Sequence, residues 1–293
     1  MIDLHCHSTA SDGTDSPAEL VRQAVRAGVE TMALTDHDTT AGWLAAGQAV
    51  AGLDCEFTLI PGAEFSCVYR RTGQRPISLH LLGYLFDPEA TGLRAERARL
   101  RASRSDRGRA IVDNLNAAGY PVTWEVVQDI AAGGAVGRPH IGRALVAAGV
   151  VASVDEAFAE VLANDSPYYV AKADTDVLTA IELIRQAGGV AVIAHPWARR
   201  RGRVIDEAAL AELAGAGLAG IEVDHLDHDR ADRLRLREIV GELGLFATGS
   251  SDYHGANKSV QLGAETTDPQ SLQQILHMAS GTLPVYSAAA RRD

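Results

Sequence analysis

At 293 residues and 46% hydrophobic composition, the chain has room for one large α/β domain, or a barrel carrying an insertion, with a substantial core. Its formal charge of −11 argues against a general nucleic-acid binder, although carboxylates neutralised by bound cations would still admit a phosphorylated substrate. No apolar run of about 18 residues predicts a membrane span, "MIDLHC" lacks the pattern of a secretory signal, and three cysteines without a paired motif (Cys6, Cys55, Cys67) suit a reducing cytoplasm.

The first strand is predicted at the start, where Ile2 and Leu4 lead into His5, Cys6 and His7. Side chains on a strand alternate faces, so His5 and His7 share one face while Leu4 and Cys6 take the other. Two imidazoles on one face can hold a metal ion between them. An isolated His-x-His is also read as two half-exposed histidines, so the rest of the chain has to decide. Cys6, facing away, reads as a small buried apolar residue.

Ser16, Pro17 and Glu19 open a helix, "PAELVRQAVRAG", that ends at Gly28. "VETMALTDHD" reads as a buried strand running into a polar loop, "AGWLAAGQAVAG" as a helix, and "CEFTLIPGAEFS" and "RPISLHLLGYLF" as two further strands. Between about residues 88 and 189 no strand is predicted. A long helical stretch ending at Gly119 is followed by "PVTWEVVQDIAA", the glycine-rich "GGAVGRPH", "IGRALVAAG" and "SVDEAFAEVLAN". This is a small all-helical insertion after the fourth strand. "VAVIAH", "LAGIEVDH" and "LGLFATGSSD" then complete seven strands, mostly alternating with helices. That alternation favours parallel strands joined by crossover helices, in a closed barrel or an open sheet. The expected organisation is a barrel from residues 1–100 and 172–293, with residues 101–171 as a helical cap over the substrate.

Ligands in such folds bind at the carboxyl ends of the strands. The predicted ends carry His5 and His7 with Asp12 beyond them, His37 in "LTDHD", Glu64 in "PGAEFS", and His80 in "ISLHLLG". Further along come His195 in "AVIAHPW", then Asp252 and His254 in "TGSSDYHG". So many imidazoles and carboxylates on one rim would be costly without cations, and the set suits two or three divalent ions. Nitrogen and oxygen ligands without thiolate are compatible with Mn, Fe, Zn or partly Mg.

"HCHSTASDG", "LTDHDT", "GAEFS", "IAHPW" and "SSDYHG" resemble, in order, the signatures of the polymerase and histidinol phosphatase (PHP) family of metallo-phosphoesterases. The resemblance covers residues 1 to about 100 and about 172 to 265. It implies a distorted seven-stranded (β/α) barrel around a trinuclear cluster, with Mn2+ the first expectation for the metal. In that scheme His5 and His7 share one metal with Glu64 and Asp252. Glu64 bridges to a second metal held by His80 and His195, and Asp12, His37 and His254 hold the third. The attacking water would bridge two metals, held through Glu64 and Asp252.

The helical insert and "GRPHIGRAL" resemble most a branch of small phosphatases in that family. Its members remove the 3′-phosphate from nucleoside 3′,5′-bisphosphates, such as adenosine 3′,5′-bisphosphate, or trim nucleotides from the 5′ end of short RNA. With the cysteine usage, the charge and the lack of a long apolar run, the expectation is a cytoplasmic, monomeric hydrolase of a small phosphorylated nucleotide, with neither duplex nucleic acid nor a membrane as partner.

A phosphate ester also needs cationic grips, which the insert supplies. In "GGAVGRPH", Arg138 and His140 flank Pro139, a helix N1 residue, where free backbone N–H groups could face an anion; a plain connecting loop reads equally well. Arg94, Arg97, Arg101 and Arg104 share a helix face, its start reading as a solvated stripe. By family analogy Arg101, Ser103 and Arg104 lie nearest the mouth. Lys172, one of two lysines with Lys258, sits at the hinge between modules, as a substrate contact or a surface residue. Tyr168 and Tyr169 could stack on a base or simply pack, and the sequence leaves His225 and His228 undecided between spare rim residues and site contacts.

Two rival functions stay open. Amidohydrolase barrels also begin with His-x-His, but many bridge their metals through a carbamylated lysine at the end of strand four, where this chain has none; Glu64 could bridge instead. A metal-binding regulatory module without catalysis is the other.

Overall fold

The computed structural model describes residues 1–134, 136–163, 165–171 and 173–290. The N-terminal half of the barrel begins with β1 (Ile2–Cys6), α1 (Pro17–Arg26), β2 (Thr31–Leu34), α2 (Trp43–Ala51), β3 (Thr58–Tyr69) and β4 (Ile77–Tyr84). The insertion holds α3 (Thr91–Ala117), α4 (Trp124–Ala131), α5 (Arg138–Ala147) and α6 (Val154–Glu160). The chain returns through β5 (Thr175–Asp176), α7 (Val177–Gln186), β6 (Val190–Ala194), α8 (Glu207–Gly215) and β7 (Gly220–Asp224). It finishes with α9 (Arg230–Leu243), β8 (Phe246–Gly249), α10 (Pro269–Met278) and β9 (Val285–Tyr286). No helix among the described residues is long and apolar enough to cross a membrane.

The main strand order is β1-β2-β3-β4-β6-β7-β8, so all seven predicted strands are present, while the short β5 and β9 each pair with β3. Neither short strand was expected, because two residues leave no apolar run to read. β1–β2, β2–β3, β6–β7 and β7–β8 are parallel, whereas β4 is antiparallel to both neighbours. The exception follows from the chain: only a short loop joins β3 to β4, and a parallel return needs a crossover of a dozen or more residues. His80 therefore reaches the carboxyl-end rim from the first half of its strand, opposite Ser66.

Glu64 also lies elsewhere than at a strand end. β3 is 12 residues long and changes partner midway, pairing with β2 through Pro61 and with β4 from Gly62 to Tyr69. Its ladder runs five residues past Glu64, which raises a hairpin about 17 Å beyond the site at about 3.4 Å per residue.

β1 and β8 close the barrel by individual contacts. His7 N donates to Tyr253 O (2.9 Å), and the buried Asp3 carboxylate accepts from Ser251 N (3.1 Å) and Gly263 N (2.8 Å). Two glycines make the flanking loops possible. At Gly13 a Cβ would lie 2.4 Å from His7 O, and Gly255 holds φ +64° against Thr14.

The insertion shares a helix with the barrel. In α3, Leu93 and Leu100 pack with Val177, Ile181 and Ile184 of the barrel, while Ile111, Val112 and Leu115 pack with Trp124 and Leu145 of the insert. A boundary at residue 101 thus falls inside one continuous helix. The arginine stripe on α3 departs from the solvated reading at Arg97, which is only 4% exposed. Its guanidinium donates to Thr40 Oγ1 (2.6 Å) and to Pro88 O, and it lies over the Phe86 ring. It pegs the helix to the barrel.

Cys6 packs among Leu20, Met32 and Leu34, on the face of β1 away from the histidines. Cys6→Ala should cost about 1 kcal/mol of stability by lost packing and leave metal binding intact. Chemical denaturation and metal content by mass spectrometry check this; loss of metal from the folded variant would refute the strand register.

Candidate metal centre

Glu64 stands at the centre of the rim. Its Oε2 is 3.1 Å from His5 Nε2, His7 Nε2 and His37 Nδ1. Its Oε1 is 2.7 Å from His80 Nδ1 and 3.2 Å from His195 Nε2. Asp252 Oδ1 lies 3.5 Å from His5 Nε2 and 3.6 Å from His7 Nε2. Asp12 faces His254 Nε2 (3.4 Å), His37 Nε2 (3.6 Å) and His7 Nδ1 (3.7 Å). Every residue of the expected ligand set converges here, and all are buried except the partly exposed His80.

Two atoms bound to one ion at about 2.1 Å lie roughly 3.0–3.4 Å apart in octahedral or tetrahedral geometry. The spacings above fall in or near that range. Three overlapping groups can each hold an ion: His7–Asp12–His37–His254, His5–His7–Glu64 and His37–Glu64–His80. They differ from the implied partition in that His7 and His37 each belong to two groups, while Asp252 and His195 belong to none and meet the cluster through His5, His7 and Glu64. The geometry is one continuous cluster joined through His7, His37 and Glu64.

The donor atoms fit metal ions. Among the described residues, His37 Nδ1 and His80 Nδ1 are buried and make no well-aligned hydrogen bond, facing only the Glu64 carboxylate at 3.1 and 2.7 Å. His5 Nδ1 donates to Glu222 Oε1 (3.0 Å), so in the neutral ring Nε2 carries a lone pair, and it faces His7 Nε2 at 3.0 Å. Two imidazole nitrogens that close, both beside a carboxylate oxygen, share either a proton or a bound cation, and the surrounding donor set suits the cation.

The protonation states point the same way. Burial alone would raise Glu64, but His80, His37 and His5 together hold it well below the usual carboxylate range. Asp12 is likewise lowered against burial by His37 and His254, and Asp252 by Lys258, His5 and Arg201. Burial pushes His37 and His7 down, and burial with Arg201 alongside brings His195 to about 3. Ionised carboxylates and neutral imidazoles are the forms that bind metal. His5 is the exception: despite burial, Glu64, Glu222 and Asp252 raise it, so a metal must displace its proton.

Sequence reasoning missed the groups that hold these ligands. Glu222, fully buried on β7, accepts from His5 Nδ1, from His195 N (2.8 Å) and from Ser250 Oγ. Asp36 accepts from Ser8 N (2.8 Å) and Ser11 Oγ (2.6 Å), fixing the loop before Asp12. Asp38 accepts from Ser66 N (2.8 Å) and from Arg104. Their signal was present, since Asp36 and Asp38 flank His37, but acidic residues in a loop resemble any solvated turn. His195 and Asp252, whose side chains enter the cluster, and Asp38, which holds Ser66 and Arg104 beside it, take positive φ (29°, 52° and 55°), a strained backbone kept at the site. A carboxylate that orients a ligand imidazole typically accounts for a 10–100-fold change in metal affinity. Glu222→Gln should therefore weaken metal binding by about that factor, read by chelator competition, while an unchanged affinity would make Glu222 merely a packing residue.

Cations also come from the barrel, against the expectation that the insert alone supplies them. Arg201 Nη2 contacts Asp252 Oδ2 (2.8 Å), its Nε contacts Asp227 (2.6 Å), and its Nη1 reaches His195 Nε2 (3.3 Å). Lys258 Nζ lies 2.6 Å from Asp252 Oδ2. The two undecided histidines separate. His228 spends both ring nitrogens on backbone, donating to Val223 O (2.9 Å) and accepting from Trp197 N (3.1 Å). His225 accepts from Asp227 N (3.0 Å), which leaves its Nε2–H facing Asp252 Oδ2 at 3.3 Å.

From the insert, Arg104 is 10% exposed and bonds Asp38 and Ser66 Oγ (2.6 Å). Arg104, Arg107 and Arg138 line one small cleft with Gly108 and Gly137. Arg138 donates to Leu162 O (2.9 Å) and lies over Phe158; burial and the nearby Arg107 bring it down to about 10. His140 is buried and accepts from Gly137 N (2.9 Å), capping α5. Arg101 is exposed and donates to Asp38 O (3.2 Å), and Ser103 accepts from Ala173 N (3.2 Å). Tyr168 meets Tyr120 edge-to-face, and Tyr169 lies under Arg107. Lys172 lies outside the described residues.

A family model described as the PHP domain matches residues 3–120. A 5′-3′ exoribonuclease Rnm of Salmonella typhimurium is 33% identical over 93% of this chain and 92% of its own. A 3′,5′-nucleoside bisphosphate phosphatase of Chromobacterium violaceum is 31% identical over 91% and 92%. Among solved structures, one described as a metal-dependent phosphoesterase from Bifidobacterium adolescentis is 34% identical, with TM-score 0.89 over 95% of this chain and 96% of that one. With its rim of buried histidines and carboxylates and these relatives along nearly its whole length, the chain belongs to the PHP family of metal-dependent phosphoesterases.

Proposed function

We propose that the protein hydrolyses the 3′-phosphate of nucleoside 3′,5′-bisphosphates, with His5, His7, Asp12, His37, Glu64, His80, His195, Asp252 and His254 as metal ligands. The observation that carries this reading is the convergence of Arg104, Arg107 and Arg138 on one cleft, tied through Arg104 to Asp38 beside the ligand His37. Half-buried guanidiniums that crowd one another favour an anion against them, and a fixed second anion site suits a substrate with two phosphates. The 5′-phosphate would lie against the mouth of this crevice, which itself has room for no more than a water (about 10 Å³), with the 3′-phosphoryl group over Glu64.

Divalent ions in the cluster, Mn2+ the first expectation, would supply Lewis-acid stabilisation of phosphoryl oxygens and acidify the attacking water. The chain's own part is to fix the substrate: the insert arginines set the distance between the phosphates, and Arg201 and Lys258 offer positive charge near the reacting phosphoryl group. Water's oxygen joins phosphorus, the P–O3′ bond breaks, and the 3′ oxygen leaves with the electron pair and takes a proton.

The test gives manganese-loaded protein adenosine 3′,5′-bisphosphate, p-nitrophenyl phosphate and a panel of amides. Marked preference for the bisphosphate supports the reading. Equal efficiency on both esters would reduce it to a generic phosphatase, and turnover of amides alone would replace it with the amidohydrolase alternative.

The exoribonuclease relative supports a second reading that shares this chemistry. The first nucleotide of a 5′-phosphorylated RNA is itself a nucleoside with a 5′-phosphate and a 3′-phosphoryl group. The two substrates differ only in what hangs beyond the scissile phosphorus.

A further inference from the structure

That difference directs attention to a second arginine-rich surface, which meets the metal cluster at Asp252 and His195 rather than at Asp38, where the insert's Arg104 meets it. Two loops meet there, residues 70–76 at the tip of the β3–β4 hairpin and residues 198–206 after β6. Arg203 donates to Arg75 O (2.6 Å) and Pro76 O (2.5 Å), and Arg71 pairs with Asp206 at 2.8 Å, so the loops are fastened together. Arg201, in the second loop, reaches Asp252 and His195, so the surface is continuous with the cluster.

The two loops are rich in arginine, and their charges are unequally compensated. Arg71, Arg199 and Arg201 are paired with Asp206, Asp232 and Asp227. Arg70, Arg75, Arg200 and Arg203 are exposed, and among the described residues none has a carboxylate within ion-pair distance. On a chain of net charge −11 this is a local positive surface beside the reaction site. Such an asymmetry attracts and orients anionic chains.

We infer that these loops form a track for the backbone of single-stranded RNA downstream of the scissile phosphate; the inference rests on the exoribonuclease reading above and adds to it the surface that holds the strand. Planar guanidiniums match phosphate oxygens in pairs, and the exposed residues of the track offer no aromatic platform for bases, so contact is with the backbone and tolerant of sequence. The ligands are buried or nearly so, and a single strand can thread to them where a duplex end cannot. Each cycle breaks the P–O3′ bond, adds water's oxygen to phosphorus and protonates the 3′ oxygen. The shortened RNA keeps that phosphate as its new 5′-phosphate and is again a substrate.

The test compares manganese-loaded wild type with the triple variant Arg70→Ser, Arg75→Ser, Arg200→Ser, all exposed positions away from the ligands. kcat/KM is measured on adenosine 3′,5′-bisphosphate and on 5′-phosphorylated di- and hexaribonucleotides across a salt series, with hexanucleotide binding read by fluorescence anisotropy in parallel. Wild type should favour the hexamer over the dimer. The variant should keep its bisphosphate rate, raise KM for the hexamer at least about tenfold, and lose about 2 units of salt slope for three phosphate contacts. Unchanged hexamer KM and slope in the variant would overturn the track, as would wild type that hydrolyses bisphosphate but gains nothing from a longer RNA. If wild type hydrolyses neither substrate, the proposed function fails by itself. Anisotropy then decides the track: salt-sensitive binding weakened in the variant retains it, and equal binding in both proteins removes it.

Discussion

Glu64→Gln should lower metal content and phosphoesterase rate together, the rate by at least about a hundredfold. The substitution keeps the shape of the side chain and removes one charge. That charge faces five imidazoles, those of His5, His7, His37, His80 and His195, at 2.7–3.2 Å. Two of the three candidate ion groups contain it. An amide offers one weak acceptor oxygen and no negative charge to offset bound cations. Mass spectrometry of the purified variant should show more than one metal site depleted, with the fold retained by circular dichroism. Full occupancy with a near-normal rate would remove Glu64 from the centre.

Arg138→Ala should reduce kcat/KM for a nucleoside 3′,5′-bisphosphate by at least about tenfold and spare p-nitrophenyl phosphate, which has no second phosphate to hold. A charge-assisted contact to phosphate contributes about 1.5–3 kcal/mol, or one to two decades if realised in the transition state. Arg138 also donates to Leu162 O and covers Phe158, so the alanine variant loses packing in the insert as well. Arg138→Lys separates the two effects, since it keeps charge and much of the stem while losing the planar fork. Partial rescue of the bisphosphate rate in the lysine variant places phosphate at this residue. Equal losses on both esters would assign Arg138 to the fold or the reacting centre, and no loss on either would move the second anion site elsewhere.

The candidate ligand set was legible in the chain because strand geometry is local. His5 and His7 had to share a face once Ile2–Cys6 was a strand, and a run of acids and imidazoles at successive strand ends is read without knowing how the strands curl. Seven strands and a helical insertion followed from the same periodicities. The direction of β4 was not local: it depends on a loop too short for a crossover, and it turns His80 toward the rim from the start of its strand.

The supporting groups could be found only in three dimensions. Glu222 reads as an acid in an apolar strand until the barrel closes and brings it within 3.0 Å of His5, 217 residues away. Arg97 and Arg104 look alike on one helix face, yet one fastens α3 to the barrel and the other meets Asp38 at the site, because α3 spans both hydrophobic cores. Arg201 and Lys258 were arginine and lysine in polar loops until both met Asp252. The sequence by itself determined which residues can bind metal, since donor atoms and strand period belong to the residues. The tertiary structure decided which carboxylates orient them and where positive charge surrounds them, since those pairings arise between segments that meet only when the barrel closes.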